Sequence, residues 1–224
     1  MKYIGAIFIA IFLSACGTSP AAPTSFLEDA WKMEESRNLQ LVWKSPNAHV
    51  GQYTKFAMKP IGVTYMKRLG WWDKKNATSY QENDVFPGFD NADNRKVASD
   101  VAKMFEHQMR QAFLDDPQKD VRFVPHTFLD NQTLLMEIQI IELVPIKKYF
   151  PAMGSIKGGA MAIEGKVFNG GTGEMLMMFS DRRIENNPKQ EMQGKLKRYS
   201  HARPLIHDWC AYFARLANTG MKAN

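Results

Sequence analysis

The chain opens on one lysine, Lys2, and then on an apolar run, Ile4-Gly5-Ala6-Ile7-Phe8-Ile9-Ala10-Ile11-Phe12, which stops at Leu13-Ser14-Ala15-Cys16. That run is too short to span a bilayer comfortably. Downstream the pattern changes character several times. Ser25 stands three residues before Glu28, in the spacing of a capping box, so a short capped helical turn is predicted over 25–31. Residues 56–65 alternate, with Ile61, Val63 and Tyr65 on one face, which predicts a strand; Pro60, lacking an N–H, places it at an edge or a bulge. Residues 70–89, rich in Trp, Asn, Asp, Gly and Pro, read as a long loop.

Val97, Val101, Met104, Phe105, Met109, Ala112 and Phe113 recur at intervals of three and four and predict a helix over 93–114, ended by Asp115-Asp116-Pro117. A short strand over 121–124 and a longer one over 134–144 follow, the latter with Met136, Ile138 and Ile140 on one side and Glu137 and Gln139 on the other. Strands over 160–168 and 174–179 flank Asn169-Gly170-Gly171-Thr172-Gly173, whose residues tolerate positive φ, so they form a hairpin. A last helix over 204–217 carries Ile206, Trp209, Phe213 and Leu216 as its buried stripe, with Pro204 in its first turn and Gly220 beyond its end. This order predicts an α+β fold with a small mixed, mainly antiparallel sheet and two packed helices on one face, in a single domain over 26–224.

The N-terminal pattern has a chemical meaning. A positive residue, an apolar stretch and a small-residue cleavage site form a secretory signal peptide over 1–15. Leu13, Ser14 and Ala15 before Cys16 make the box used in lipoprotein maturation. That chemistry needs a thiol at one position, since the sulfur takes the lipid and the freed α-amino group can be acylated afterwards. Two or three acyl chains anchor stably where one is marginal. Gly17 follows, not the Asp that retains lipoproteins in an inner membrane, so the expected place is the outer membrane, facing the periplasm. The small, polar, Pro-containing residues up to 25 read as a flexible spacer, giving a lipidated Cys and linker over 16–25.

Removal of residues 1–15 still leaves enough of the 224 for one domain with its own core. With Cys16 lipidated, Cys210 has no partner, so the fold cannot rest on disulfides; in its aromatic setting this thiol reads as packed. The net charge of +6 suits a neighbour of anionic lipid or polymer, but the basic residues are dispersed and no nucleic-acid partner is expected.

No familiar catalytic set is present. His49, His107, His126, His201 and His207 show no zinc-ligand spacing, the glycine runs lack phosphate-loop spacing, and no GxSxG elbow occurs. No catalytic residue, metal or cofactor is therefore expected. Two groups stand out as binding candidates: Trp71 and Trp72, an aromatic anchor if exposed, and Arg182 and Arg183 after Asp181, whose guanidiniums could read a carboxylate or phosphate or else form an ion-paired strand end.

Ser25-Phe26-Leu27, Tyr53-Thr54-Lys55-Phe56 before Pro60-Ile61, Gly158-Gly159-Ala160 with Glu164-Gly165, Thr172-Gly173-Glu174 with Asp181-Arg182-Arg183, and Asp208-Trp209 with Phe213-Ala214 together resemble the bacterial lipoproteins catalogued as domain of unknown function 3313. The resemblance spans nearly the whole mature chain. It implies placement in the envelope of proteobacteria and no assigned chemistry. The expectation is a non-catalytic binding or accessory lipoprotein, held to the membrane by its N-terminal lipid and meeting an envelope protein, peptidoglycan or anionic lipid. The alternative is an envelope hydrolase of lipid or glycan, with Asp84, Asp90 or Glu164 brought together by folding.

Overall fold

A computed structural model describes residues 21–46, 48, 52–66, 91–114, 121–145, 159–185 and 192–219. The lipobox, Cys16, the loop with Trp71 and Trp72, and Asp84 and Asp90 lie outside the described residues. Seven strands, β1 (Glu34–Glu35), β2 (Leu41–Lys44), β3 (Lys55–Met58), β4 (Arg122–Phe123), β5 (Thr133–Val144), β6 (Gly159–Asn169) and β7 (Met175–Glu185), form one sheet in the order β1-β2-β7-β6-β5-β3-β4. Among the described residues two α-helices, α1 (Asn91–Leu114) and α2 (Ala202–Thr219), accompany the sheet. The pairings β1–β2, β2–β7, β7–β6 and β6–β5 are antiparallel and β3 is parallel to both β5 and β4, so the sheet is open, mixed and mainly antiparallel. The architecture is the single-domain α+β one that the alternation of patterns predicts.

Strand periodicity divides the sheet into two faces. Leu134, Met136, Ile138 and Ile140 of β5, Met161, Ile163 and Val167 of β6, and Met177 and Phe179 of β7 share one core with both helices. Val97, Val101, Phe105, Met109 and Phe113 of α1 and Ile206, Trp209 and Phe213 of α2 enter that core. Phe105 and Trp209 stack with centroids 5.9 Å apart, which joins the helices directly. Each large side chain so enclosed contributes about 1.5–3 kcal/mol. Gly165 faces the same layer, and the ring of Phe179, its cross-strand partner, occupies the space a Cβ would need.

The opposite face is covered by the chain's own beginning. Ala21 packs on Ile141 and Ala162, and Phe26 and Leu27 pack on Met178. Residues 21–25, read as part of a free spacer, are therefore seated on the domain. The helical turn also lies later than its predicted 25–31: it is a 3-10 turn at Ala30–Lys32 with Asp29 at its N-cap and no side-chain capping bond. The preceding residues form a separate turn, with Leu27 N–H donating to Thr24 O, and Thr24 is committed to the sheet.

Other boundaries moved for identifiable reasons. β3 stops before Pro60, and the expected strand resumes only as a parallel bridge between Gly62 and Gln139; Tyr65 is exposed. β1 and β2 show no alternation of apolar and polar residues in sequence. β7 runs on through Asp181, Arg182 and Arg183 to Glu185, because those charges are paired inside the sheet instead of ending it. The hairpin forms at the expected residues: Asn169 N–H donates to Glu174 O, Gly173 N–H donates to Asn169 O, and Gly173 takes φ 73°, a conformation that favours glycine.

Candidate functional site

Arg182 and Arg183 are adjacent on β7, so pleating sends them to opposite faces of the sheet. Arg183 lies on the helix side. Its Nε donates to Asp181 Oδ2 at 2.7 Å, its NH2 group donates to Asn38 O at 3.0 Å, and its guanidinium sits 5.3 Å from the centre of the Trp209 ring. Asp181, almost fully buried, also accepts Trp209 Nε1–H at 2.7 Å and Gln40 N–H at 3.0 Å. This carboxylate therefore ties β7 to α2 and to the residues entering β2.

Arg182 lies on the other face, where its Nε and NH2 both donate to Glu142 Oε1 at 2.9 and 2.8 Å. A two-guanidinium clamp for an external anion does not form, because the two side chains are on different sides of the sheet. Glu142 reaches this face through an irregularity in the β5–β6 register between Ile140 and Glu142. The extra residue, Ile141, points the same way and receives Ala21.

Glu164 is the third buried acid. It has no exposed surface, and both its oxygens are taken by one residue: Thr24 N–H donates to Oε1 at 2.7 Å and the Thr24 hydroxyl to Oε2 at 2.5 Å. Lys166, two residues on, lies 4.8 Å from the centre of the Phe26 ring. The N-terminal segment is thereby held along β6 at Ala162, Glu164 and Lys166 in turn.

Two concavities lie at the β3–β4 edge. One, of about 260 Å³, is lined by Met58, Lys59 and Pro60, by Glu106 and Arg110 of α1, and by the 123–126 segment ending in His126. Glu106 accepts Ile61 N–H at 2.8 Å, Arg110 lies over the Phe123 ring at 5.2 Å, and Lys59 pairs with Glu137. The second, of about 450 Å³, adjoins it through Val124 and is bounded by Phe128, Leu129 and the Lys55–Asp130 ion pair. Phe128 is 72% exposed. The lining of both concavities is mainly apolar, with the mixed charges of Lys59, Glu106 and Arg110 and of Lys55 and Asp130 at the rims. Apart from Pro60, which marks the strand edge, and His126, which has no ligand spacing, no sequence pattern marks these residues as a site; Phe128 beside turn residues is the one available signal.

Burial governs His201 and Cys210. His201 is fully enclosed, with Nε2 3.2 Å from Ala160 O and Nδ1 without a partner among the described residues; desolvation pulls its pKa down to about 4. Cys210 is buried as expected, and burial pushes its thiol up to about 12. Among the described residues no group of three or more His, Cys, Asp or Glu is placed to hold a metal ion, and no helix is long and apolar enough to cross a membrane.

The fold and its edges define an α+β domain with helices on one sheet face and its own N-terminal strap on the other. No family model matches the sequence, and no curated protein matches it. Solved structures give distant similarities. Protein XCC0632 from Xanthomonas campestris, of domain of unknown function 330, is 9% identical with a TM-score of 0.41, over 79% of this chain and 89% of that one. The PelC dodecamer from Paraburkholderia phytofirmans is 10% identical with a TM-score of 0.35, over 76% of this chain and 96% of that one. A minor lipoprotein from Acinetobacter baumannii is 11% identical with a TM-score of 0.33, over 75% of this chain and 94% of that one. Likenesses of this degree carry no weight for function.

Proposed function

We propose that this chain is a lipid-anchored lipoprotein of the bacterial envelope that acts as a non-catalytic binding or accessory module, with kinship to the family of domain of unknown function 3313. The observation that carries the reading is the run Leu13-Ser14-Ala15-Cys16 directly after a short apolar stretch with one leading lysine. Gly17 favours export to the outer membrane. The binding role is supported by the exposed Phe128 beside the two concavities of the β3–β4 edge, with Trp71 and Trp72 as further aromatic candidates. A non-catalytic role is supported by the acids within the sheet. Glu164, Glu142 and Asp181 all hold the fold together through Thr24, Arg182, and Arg183 with Trp209.

The test is cross-linking in intact cells followed by recovery of the native protein, a Phe128→Ala/Arg110→Ala form and a Trp71→Ala/Trp72→Ala form. Loss of a recovered envelope component with either altered form supports the binding role. Identical recovery by all three removes both proposed faces.

A further inference from the structure

The concavity between α1 and the ends of β3 and β4 holds a cation that the fold leaves uncompensated. Thr54 and Phe56 turn their carbonyls to β4, accepting Arg122 and Val124 N–H, while Lys55 and Lys59 N–H donate to Gln132 O and Met136 O on the β5 side. By that alternation Pro60 is turned toward β4, but it has no N–H to give, and the two parallel strands part there. The next bond toward β5 comes from Gly62, to Ile138 O. Ile61 N–H is left out of the sheet, and Glu106 of α1 accepts it at 2.8 Å.

Arg110 stands one turn after Glu106, in the spacing at which an acid and a base on a helix normally pair. The two are drawn apart: Glu106 goes to Ile61, and the Arg110 guanidinium goes to the Phe123 ring, 5.2 Å from its centre. Among the described residues no carboxylate and no hydrogen-bond acceptor meets this guanidinium. A guanidinium on an aromatic face still offers its N–H groups edgewise, two at a time, to a carboxylate. His126 lines the same concavity, also without a partner among the described residues, and Lys59 stands at its rim, paired with Glu137. Met58, Phe123 and Pro125 supply an apolar wall. The volume, about 260 Å³, falls below the roughly 300–1,000 Å³ of sites for drug-sized molecules and suits a smaller group.

Resting on the binding role proposed above, we propose that this concavity takes an organic carboxylate with a small apolar body. Arg110 receives the carboxylate with His126 beside it, and the apolar body rests against Met58, Phe123 and Pro125. The Glu106 carboxylate on the same wall disfavours a second negative charge, which separates a monocarboxylate from a phosphate dianion. A free small acid and the carboxyl terminus of a peptide chain share this chemistry.

The experiment uses the full protein isolated from membranes in detergent and reads binding by saturation-transfer NMR. The probes are N-acetylleucine, its carboxamide, inorganic phosphate as a competitor, and a tetrapeptide ending in leucine with a free carboxylate. Saturable binding of N-acetylleucine is expected, with the carboxamide and phosphate weaker by about tenfold or more. Arg110→Gln should weaken N-acetylleucine by about tenfold or more, and Glu106→Gln, which keeps an oxygen for Ile61 N–H and removes the neighbouring charge, should tighten it several-fold. Urea midpoints close to the native one show that both variants are folded. No binding of N-acetylleucine, equal binding of its carboxamide, equal competition by phosphate, or binding unchanged by Arg110→Gln overturns the inference. Tighter binding of the tetrapeptide supports it with a chain terminus as the source, and equal or weaker binding supports it with a free acid. Loss of a cross-linked envelope component from the Phe128→Ala/Arg110→Ala form, with no carboxylate bound by the native protein, leaves the binding role standing and overturns the carboxylate class alone.

Discussion

Thr24 closes both oxygens of the buried Glu164 carboxylate, with its N–H at 2.7 Å and its hydroxyl at 2.5 Å, across 140 positions of sequence. Hydrogen bonds to a charged acceptor contribute about 1.5–3 kcal/mol, roughly twice a neutral one. This contact turns the last residues before the domain from a free linker into a strap. Thr24→Val keeps the shape and removes the hydroxyl donor. It should lower stability by about 1.5–3 kcal/mol in urea unfolding and expose the segment before Leu27 to protease in the folded protein. Unchanged cleavage would mean that the strap is held by Phe26 and Leu27 alone.

Asp181 gathers donors from three places: Gln40 N–H, Trp209 Nε1–H and Arg183 Nε–H. Asp181→Ala strands a buried indole N–H and removes the partner of Arg183, so a loss of about 3–5 kcal/mol is expected. Trp209→Phe keeps the stacking on Phe105 and removes one donor, for about 1–3 kcal/mol. Denaturant midpoints of the two variants check the order. A smaller loss for Asp181→Ala than for Trp209→Phe would contradict this view of Asp181 as the junction.

His201 supplies a pH dependence. Burial lowers its pKa from 6.5 to about 4, so the unfolded chain binds the proton more readily than the folded one. Its contribution is fully present above pH 6.5 and is lost as pH falls toward about 4, to a limit of about 3 kcal/mol. Stability measured across that window should fall less steeply for His201→Asn than for the native protein. Parallel curves would show that the imidazole is not held neutral.

Cys210 should be silent to alkylating reagents in the folded state. Its thiol is enclosed and raised to about 12, leaving almost no thiolate near neutrality. Iodoacetamide at mildly alkaline pH should label it only after denaturant is added, as read by intact mass. Prompt labelling of the native protein would contradict the packing of α2 described above.

Much of this fold is legible in the one-dimensional pattern where a period runs long enough. The stripe from Val97 to Phe113, the alternation from Met136 to Ile140 and the turn residues Asn169 to Gly173 each declare themselves, because burial on one face imposes spacing. β1 and β2 do not, since Glu34–Glu35 has no apolar residue to mark a face and Leu41-Val42-Trp43 is an unbroken apolar run with no alternation. Asp181, Arg182 and Arg183 look like a strand end in sequence because charge normally avoids a sheet interior. Only the fold shows the partners that let the strand continue. The Thr24–Glu164 contact and the β3–β4 edge join residues far apart in the chain, and no local spacing encodes them.

The account rests on the fate of Cys16, and the intact mass of the protein purified from membranes tests it most directly. The predicted result is a chain beginning at Cys16 that carries a thioether-linked diacylglycerol, with residues 1–15 gone. A chain that retains Leu13-Ser14-Ala15, or that begins at an unmodified Cys16, would contradict it.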